Sequence, residues 1–367
     1  MKIERIEPTQ LPNGLWLDGN EYASENVEES SGVLSLVAGE TDGYRVGPEL
    51  DVGAISDVVS SKLEWTSSGD VEVLAAVSET SAQGSMSFDG VDDYVEVPHS
   101  TSYELNKDTA ITFWYTWGDT GSFPRILYKG DFRIIQNTTS PRVLRVAIGI
   151  GTSGDDIEYR IPGLTATDTF RFVALNFAIS NGNTTITVYV NGQYHDEETF
   201  TGIASTSNTP LVFSHSGQFA YPDNIFDIRF YDGNLSTQEI SALYSGKNVK
   251  DNLLGNWPLD DPPGSTTARD LSPNNNDGTI YGASYSPDNP LLQTATNGQA
   301  IPGVTPGADL TGKKLYTQQR LSRDTTGDPS PTLTEIKATV EEAGGALPLI
   351  NGGLIRSAHT QNNTMIR

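Results

Sequence analysis

Residues 256–285 read NWPLDDPPGSTTARDLSPNNNDGTIYGASY, and where this stretch belongs decides the fold. It carries one large aromatic anchor, Trp257, then a polar run, then a Gly/Asn-rich turn at Asn274–Gly278 leading into a short apolar strand. That is the make-up of a β-domain's first strand and first turn. Yet the preceding stretch, NIFDIRFYDGNLSTQEISALYSG (224–246), already closes like a finished domain. Ser236 stands as an N-cap, Glu239 follows three residues later and Gly246 ends the run, so a short helix is expected there.

Working outward, the chain is β-rich on the N-terminal side. AITFWYTW (110–117) alternates Ile111, Phe113, Tyr115 and Trp117 against Thr112, Trp114 and Thr116, the period of a strand in a two-layer core. FRFVALNFAIS, TTITVYV and PLVFSHS continue that pattern, and Asn191-Gly192 after TVYV is a tight-hairpin signal because both turn residues need positive φ. From Gly32 to Ser78, short β-rich runs alternate with turns and suit a small antiparallel sandwich. Residues 1–31, polar and Pro/Glu-rich with Trp16 and Tyr22, read as an extended arm. After residue 290 the Gly, Pro and Thr content rises without periodicity, so 291–367 read as a second arm lying on a neighbour, with one short helix at 333–343.

The bulk numbers narrow the function. Asp plus Glu number 47 against 23 Lys plus Arg, a formal charge of −24 in 367 residues. Such a field repels phosphate backbones, so nucleic acid is not an expected partner. The absence of cysteine excludes disulfides and thiolate metal sites. No apolar run is long enough for a membrane-spanning helix, and the N-terminal residues lack a signal-peptide core.

Residues 83–250 resemble a laminin-G-like, concanavalin A-like jelly roll. FDGVDDYVEVP (88–98) resembles that family's early strand pair, and AITFWYTW the strand that brings a Trp into the sandwich. ITVYVNGQ (186–193) resembles its central hairpin, and 224–246 its closing strand and helix. In such modules a segment like 256–285 precedes the FDGVDDYV strand. Here it follows, so residues 251–290 are read as a late edge strand. It completes either its own jelly roll or, by strand exchange, a neighbour's. The fold class is therefore all-β: a small N-terminal sandwich (32–82), then the jelly roll (83–250), with extended terminal arms.

The chemistry is sparse. The fold includes glucanases, but the Glu-x-Asp-x-x-Glu run that would align catalytic carboxylates on one strand face is missing. GDDIEYR (154–160) offers only Asp156 and Glu158, and reads as a solvated turn. The four histidines have no metal-ligand spacing, and there is no phosphate-cradling Gly loop. The protein is not expected to be an enzyme. Asp89, Asp92 and Asp93 lie within five residues, and the resemblance implies a rim calcium ion there, joined by Asp227 from the closing strand; turn-making is the competing role of these aspartates. For ligand recognition the candidates are His215, Phe219, Tyr221 and Asp223 in SHSGQFAYPDN, whose apolar residues do not alternate, with Tyr103, Tyr128 and Trp117 near other loops.

The terminal arms and the laminin-G-like module together lead to one expectation: a structural surface protein of a bacterial or archaeal virion, made in the host cytoplasm. It would be homo-oligomeric, associated with other virion proteins, and would attach to a host-surface glycan or glycoprotein. The alternative is a carbohydrate-binding accessory module or cell-surface adhesin. A polysaccharide-degrading enzyme ranks third.

Overall fold

The computed structural model describes residues 2–6, 21–30, 33–118, 123–130, 132–137, 143–150, 156–164 and 169–342. They form two compact units: Met1–Gln83 joined by Leu291–Arg367, and Gly84–Pro290. The second unit is thus an insertion within the first.

The first unit corrects the expectation of a self-sufficient sandwich with free arms. Strand Lys314–Ser322 lies between Asp42–Val46 and Asp70–Ser78 in a six-stranded antiparallel sheet. Strand Thr332–Glu342 pairs with Val58–Ser68 along its whole length, and also with Lys2–Ile6 and Val33–Leu36. Leu315, Ile336 and Val340 from the late segment share a core with Val58, Leu63 and Val73. Residues 291–342 are therefore central strands of this unit. At the other end, Lys2–Ile6, Ala23–Glu25 and Val27–Ser30 are paired strands as well; Trp16 and residues 343–367 lie outside the described residues.

The helix expected at 333–343 is a strand, and the reason is local. Leu333, Ile336 and Val340 are buried at helix-like spacing, but a register shift between Leu333 and Glu335 accounts for it. An extra residue there resets the inward phase of the strand. Beyond the shift, Ile336, Ala338 and Val340 alternate as a strand should.

The second unit holds two eight-stranded sheets around one large core. The first runs Asp156–Arg160, Val143–Gly149, Phe132–Asn137, Arg125–Lys129, Leu211–Ser214, Tyr94–Val97, Gly278–Tyr281, Thr267–Ala268. The second runs Gln193–Thr201, Asn183–Val190, Arg171–Ser180, Thr109–Tyr115, Asn224–Asp232, Ser85–Ser87, Ser284–Ser286, with Leu253–Trp257 also on Asn224–Asp232. Ile111, Phe113, Tyr115 and Trp117 point into the shared core. Trp114, on the other face, is buried against Phe172 and stacks at 5.5 Å on Tyr244 of helix Thr237–Tyr244. That helix has the expected capping box between Ser236 and Glu239. Asn191 and Gly192 turn at φ 49° and 78°.

Residues 251–290 supply strands to both sheets of their own unit, not one edge strand alone. Trp257 is fully buried among Tyr103, Phe213 and Phe230, and its indole N–H donates to the Asn276 carbonyl at 3.1 Å. The turn that follows is built on the buried Asp270 carboxylate. One oxygen accepts the N–H groups of Asn256 and Ser272, the other those of Asn276 and the Ser272 hydroxyl.

Trp257→Ala is expected to destabilise the inserted unit by about 3–5 kcal/mol, read by denaturant unfolding. Truncation after residue 290 should abolish the first unit's cooperative transition and spare the second's; a chain that keeps both transitions would contradict the strand assignment.

Candidate functional site

The first sheet of the inserted unit sorts its residues into rows. One row, Ile280, Val95, Phe213, Leu127, Ile134, Val146 and Tyr159, is in register across seven strands and lies wholly in the core. The adjacent row points the other way, since successive strand residues alternate faces. It runs Thr279, Glu96, Val212, Tyr128, Arg133, Ala147, Glu158. Beside it on the same face lie Tyr281 and Tyr94 at one end and Arg125, Ile135, Arg145 and Arg160 at the other.

Aromatic rings cover the first part of this outer face. Tyr94 and Tyr281 stack at 4.5 Å with 16° between their planes, and Tyr281 is 42% exposed. Tyr128 meets the His215 ring at 4.9 Å, and His215 meets Phe219 edge-on at 5.6 Å. The Arg125 guanidinium lies 4.2 Å from the Phe219 centroid and 5.3 Å from that of Tyr128, cation–π distances. Burial lowers the His215 pKa; a bond to the Ser216 carbonyl opposes this and Arg125 adds to it. Burial therefore favours the uncharged ring.

His215 and Phe219 reach this face because the chain turns sharply between the strands. Ser214 has φ 65°, and a single 3-10 turn follows at Gly217–Phe219. The Gly217 N–H donates to the Val91 carbonyl at 2.8 Å, which joins this turn to the aspartate turn.

Two of the expected ligand residues are structural instead. Tyr221 is fully buried, and its hydroxyl donates to the carbonyls of Thr116 and, at 3.2 Å, Asn224. Burial, then Asp223, holds its pKa well above the ordinary value. It is a latch, as a buried phenol needs a partner. Asp223 accepts the Asn224 N–H at 2.9 Å, and its carbonyl accepts that of Phe88. Tyr103 and Trp117 are core residues.

The metal candidates also divide. Carboxylate oxygens of Asp89, Asp92 and Asp93 lie within 4.8 Å of one another, a hard-oxygen donor set of the kind calcium takes. The same groups also build the turn. Asp89 Oδ1 accepts the N–H groups of Val91 and Asp92, and Asp93 Oδ2 accepts that of Asp89. Burial raises the Asp93 pKa, the Asp89 N–H opposes this, and the charges of Asp89 and Asp92 add to it. Asp227 does not join them. It sits at φ 53°, buried, with its carboxylate 2.8 Å from Arg229 Nε. Burial pulls the Arg229 pKa down, and Asp227 and Tyr231 more than offset it, holding it above the ordinary value. This residue marks where Asn224–Asp232 changes partner, from Ser85–Ser87 to Leu253–Trp257, and its N–H bonds the Pro258 carbonyl.

Of the acids weighed for catalysis, Glu158 is on the outer face, 2.8 Å from Arg145 and 3.7 Å from Arg160. The Asp156 side chain and Gly154 lie outside the described residues. Sequence reasoning missed the arginines and Tyr94 and Tyr281. The signal was there: Arg125, Arg133, Arg145 and Arg160 each sit on a different β-run, but only register brings them to one face.

Ligand-free protein should gain stability as the Asp93 carboxyl protonates. Its folded pKa is raised, so the folded state holds that proton better. The gain is absent at neutral pH, grows as pH falls through the raised pKa, and is complete below the unfolded value. Asp93→Asn should flatten that part of the stability–pH curve.

No curated protein matches the chain. Among solved structures, a Bacteroides ovatus protein described as carbohydrate-binding is 12% identical with a TM-score of 0.45, the alignment covering 82% of this chain and 95% of that one. A heptameric pentraxin from Limulus polyphemus is 12% identical with a TM-score of 0.38, covering 58% and 99%. Domain 4 of an extracellular arabinanase from Geobacillus stearothermophilus, solved with arabinotriose, is 14% identical with a TM-score of 0.36, covering 53% and 99%. Residues 89–241, which form most of both sheets of the inserted jelly roll, match the profile of the concanavalin A-like lectin/glucanases superfamily.

Proposed function

We propose that the protein is a non-catalytic carbohydrate-binding protein, with the outer face of the first jelly-roll sheet as its binding surface. The observation that carries this reading is the group of aromatic rings: Tyr281 and Tyr94 stacked, and Tyr128 with His215 and Phe219, on a face turned away from the core. Aromatic faces stack on the C–H surfaces of sugars, and Glu96, Thr279 and the histidine supply hydrogen-bonding groups alongside. The superfamily matched by residues 89–241 includes lectins and agrees with such a role.

The virion setting loses its main premise. It rested on terminal segments that could order only on neighbouring subunits, and residues 291–342 instead complete the chain's own first unit. Binding is proposed without that setting.

A glycan array followed by titration tests the reading. Tyr281→Ala and Tyr128→Ala should each weaken binding about tenfold or more, with unfolding midpoints unchanged, since each ring is partly exposed. Retention of parental affinity by both variants would sink it.

Calcium at Asp89, Asp92 and Asp93 is proposed as an accessory of the same rim. Calcium added to chelator-treated protein should raise the unfolding temperature, and Asp92→Asn, whose side chain is exposed, should abolish that shift. Identical melting curves with calcium and with chelator would remove the ion.

A further inference from the structure

The second sheet of the inserted unit has an outer face of its own, where the Tyr244 ring of helix Thr237–Tyr244 meets Trp114 and Phe172. Two residues on from Phe172, and so on the same face, Ala174 stands opposite Tyr189, and Tyr189 opposite Tyr194. These two tyrosine rings meet edge-on at 6.0 Å, and Tyr194 is 61% exposed. A register shift between Val188 and Tyr189 makes this pair, with His195 as the extra residue. Without the shift His195 would stand opposite Tyr189. Its ring bonds the Pro162 carbonyl at 2.7 Å instead.

Between the helix and the hairpin end lies a cleft of about 380 Å³, within the roughly 300–1,000 Å³ of small-ligand sites. Gly192 and Gln193 line it from the hairpin; Thr237, Gln238, Ser241 and Ser245 line it from the helix, with Lys247 just beyond. Both walls are fixed. The Phe172 N–H donates to Asn191 Oδ1 at 3.1 Å, which ties the hairpin end to the next strand. The Ser236/Glu239 capping box and the stacking of Tyr244 on Trp114 hold the helix. Gly192 lets the two lie close together, since an added Cβ would stand 3.0 Å from the Tyr244 ring. Gln193, Thr237, Gln238 and Ser241 are all exposed, and the Ser245 hydroxyl, which donates to the Ala242 carbonyl, keeps its oxygen free to accept. Amides and hydroxyls both donate and accept hydrogen bonds, as the hydroxyls of a sugar do. Tyr194, next to Gln193 in the strand, supplies an open ring for sugar C–H groups.

We propose that this cleft, with Tyr194 beside it, is a second saccharide site, and that its ligand is a neutral oligosaccharide. The two sheets enclose one core, so their outer faces are turned away from each other and one molecule holds two glycan chains. Engaging both raises avidity for a glycan-covered surface without any new contact. The cleft uses none of the residues of the first face, so either site can fail alone.

The test is equilibrium dialysis of the full chain against cellohexaose, xylohexaose, mannohexaose and arabinohexaose, with stoichiometry read at saturation. The variants are Tyr194→Ala, Gln238→Ala/Ser241→Ala and Tyr281→Ala; the first two change only exposed side chains. For at least one of these sugars the parent should bind two molecules per chain. Each variant should bind one, with its unfolding midpoint unchanged. A single site that Tyr281→Ala removes and both cleft variants leave intact overturns the inference and keeps the first-face reading. A single site lost in both cleft variants and kept in Tyr281→Ala supports the cleft and overturns the first face. A parent that binds none of these sugars overturns the cleft site. Self-association of the parent that Tyr194→Ala abolishes would assign this face to a second copy of the chain and overturn the inference as well.

Discussion

The inserted jelly roll begins and ends on two three-residue strands, Ser85–Ser87 and Ser284–Ser286, paired antiparallel with Ser85 opposite Ser286. They are the chain's way into the inserted jelly roll and its way out. Gly84 precedes the first at φ 155°, where an added Cβ would lie 2.6 Å from the Ser286 carbonyl and 2.5 Å from the Tyr285 ring. The Asn289 side chain then donates to the Gly84 carbonyl at 2.7 Å. Once these ends meet, Asp70–Ser78 and Lys314–Ser322 can pair as though joined only by residues 79–83 and 291–313. Closing the whole 79–313 connection costs more than closing the roughly 28 residues of it that lie outside the insertion by about 2 kcal/mol, at about 0.6 kcal/mol per doubling. A folded insertion removes that difference, so closure of the second unit favours pairing of the first unit's central strands.

The same logic of distant pairing explains the candidate surface. A sheet face is assembled from residues that alternate along each strand but are neighbours only across strands. Val212, Ile135 and Ala147 are at most 4% exposed although they lie on the outer face. Small and aliphatic side chains there are covered by the longer ones beside them, and the stems of arginine are well suited to such cover. The face is therefore a packed layer and not a scatter of solvated side chains, which keeps its rings and guanidiniums in place.

Local patterns were legible in the sequence where the controlling contacts are local. The Asn191-Gly192 turn, the Ser236/Glu239 capping box and the inward alternation of Ile111, Phe113 and Tyr115 each depend on residues a few positions apart. The late segment was misread because its partners are remote: Thr332 pairs with Ser35 and Ser68. A shift between Leu333 and Glu335 also disguised strand as helix. In the candidate site, the broken alternation of their loop points to His215 and Phe219, whose rings lie beside Tyr128 on the outer face. Tyr221 lies in the same loop and Asp227 entered through the family resemblance, but they are tied down by the Thr116 carbonyl and by Arg229, contacts that no spacing rule announces. The arginines needed the register of four strands before they formed a set.

The insertion also has a mechanical meaning. Tension drawn along the backbone from one half of the first unit to the other falls on the long pairing of Val58–Ser68 with Thr332–Glu342. The jelly roll is joined to the first unit by two backbone connections, at Gln83–Gly84 and Pro290–Leu291. A pull on the inserted unit would be shared between those two covalent connections in place of one.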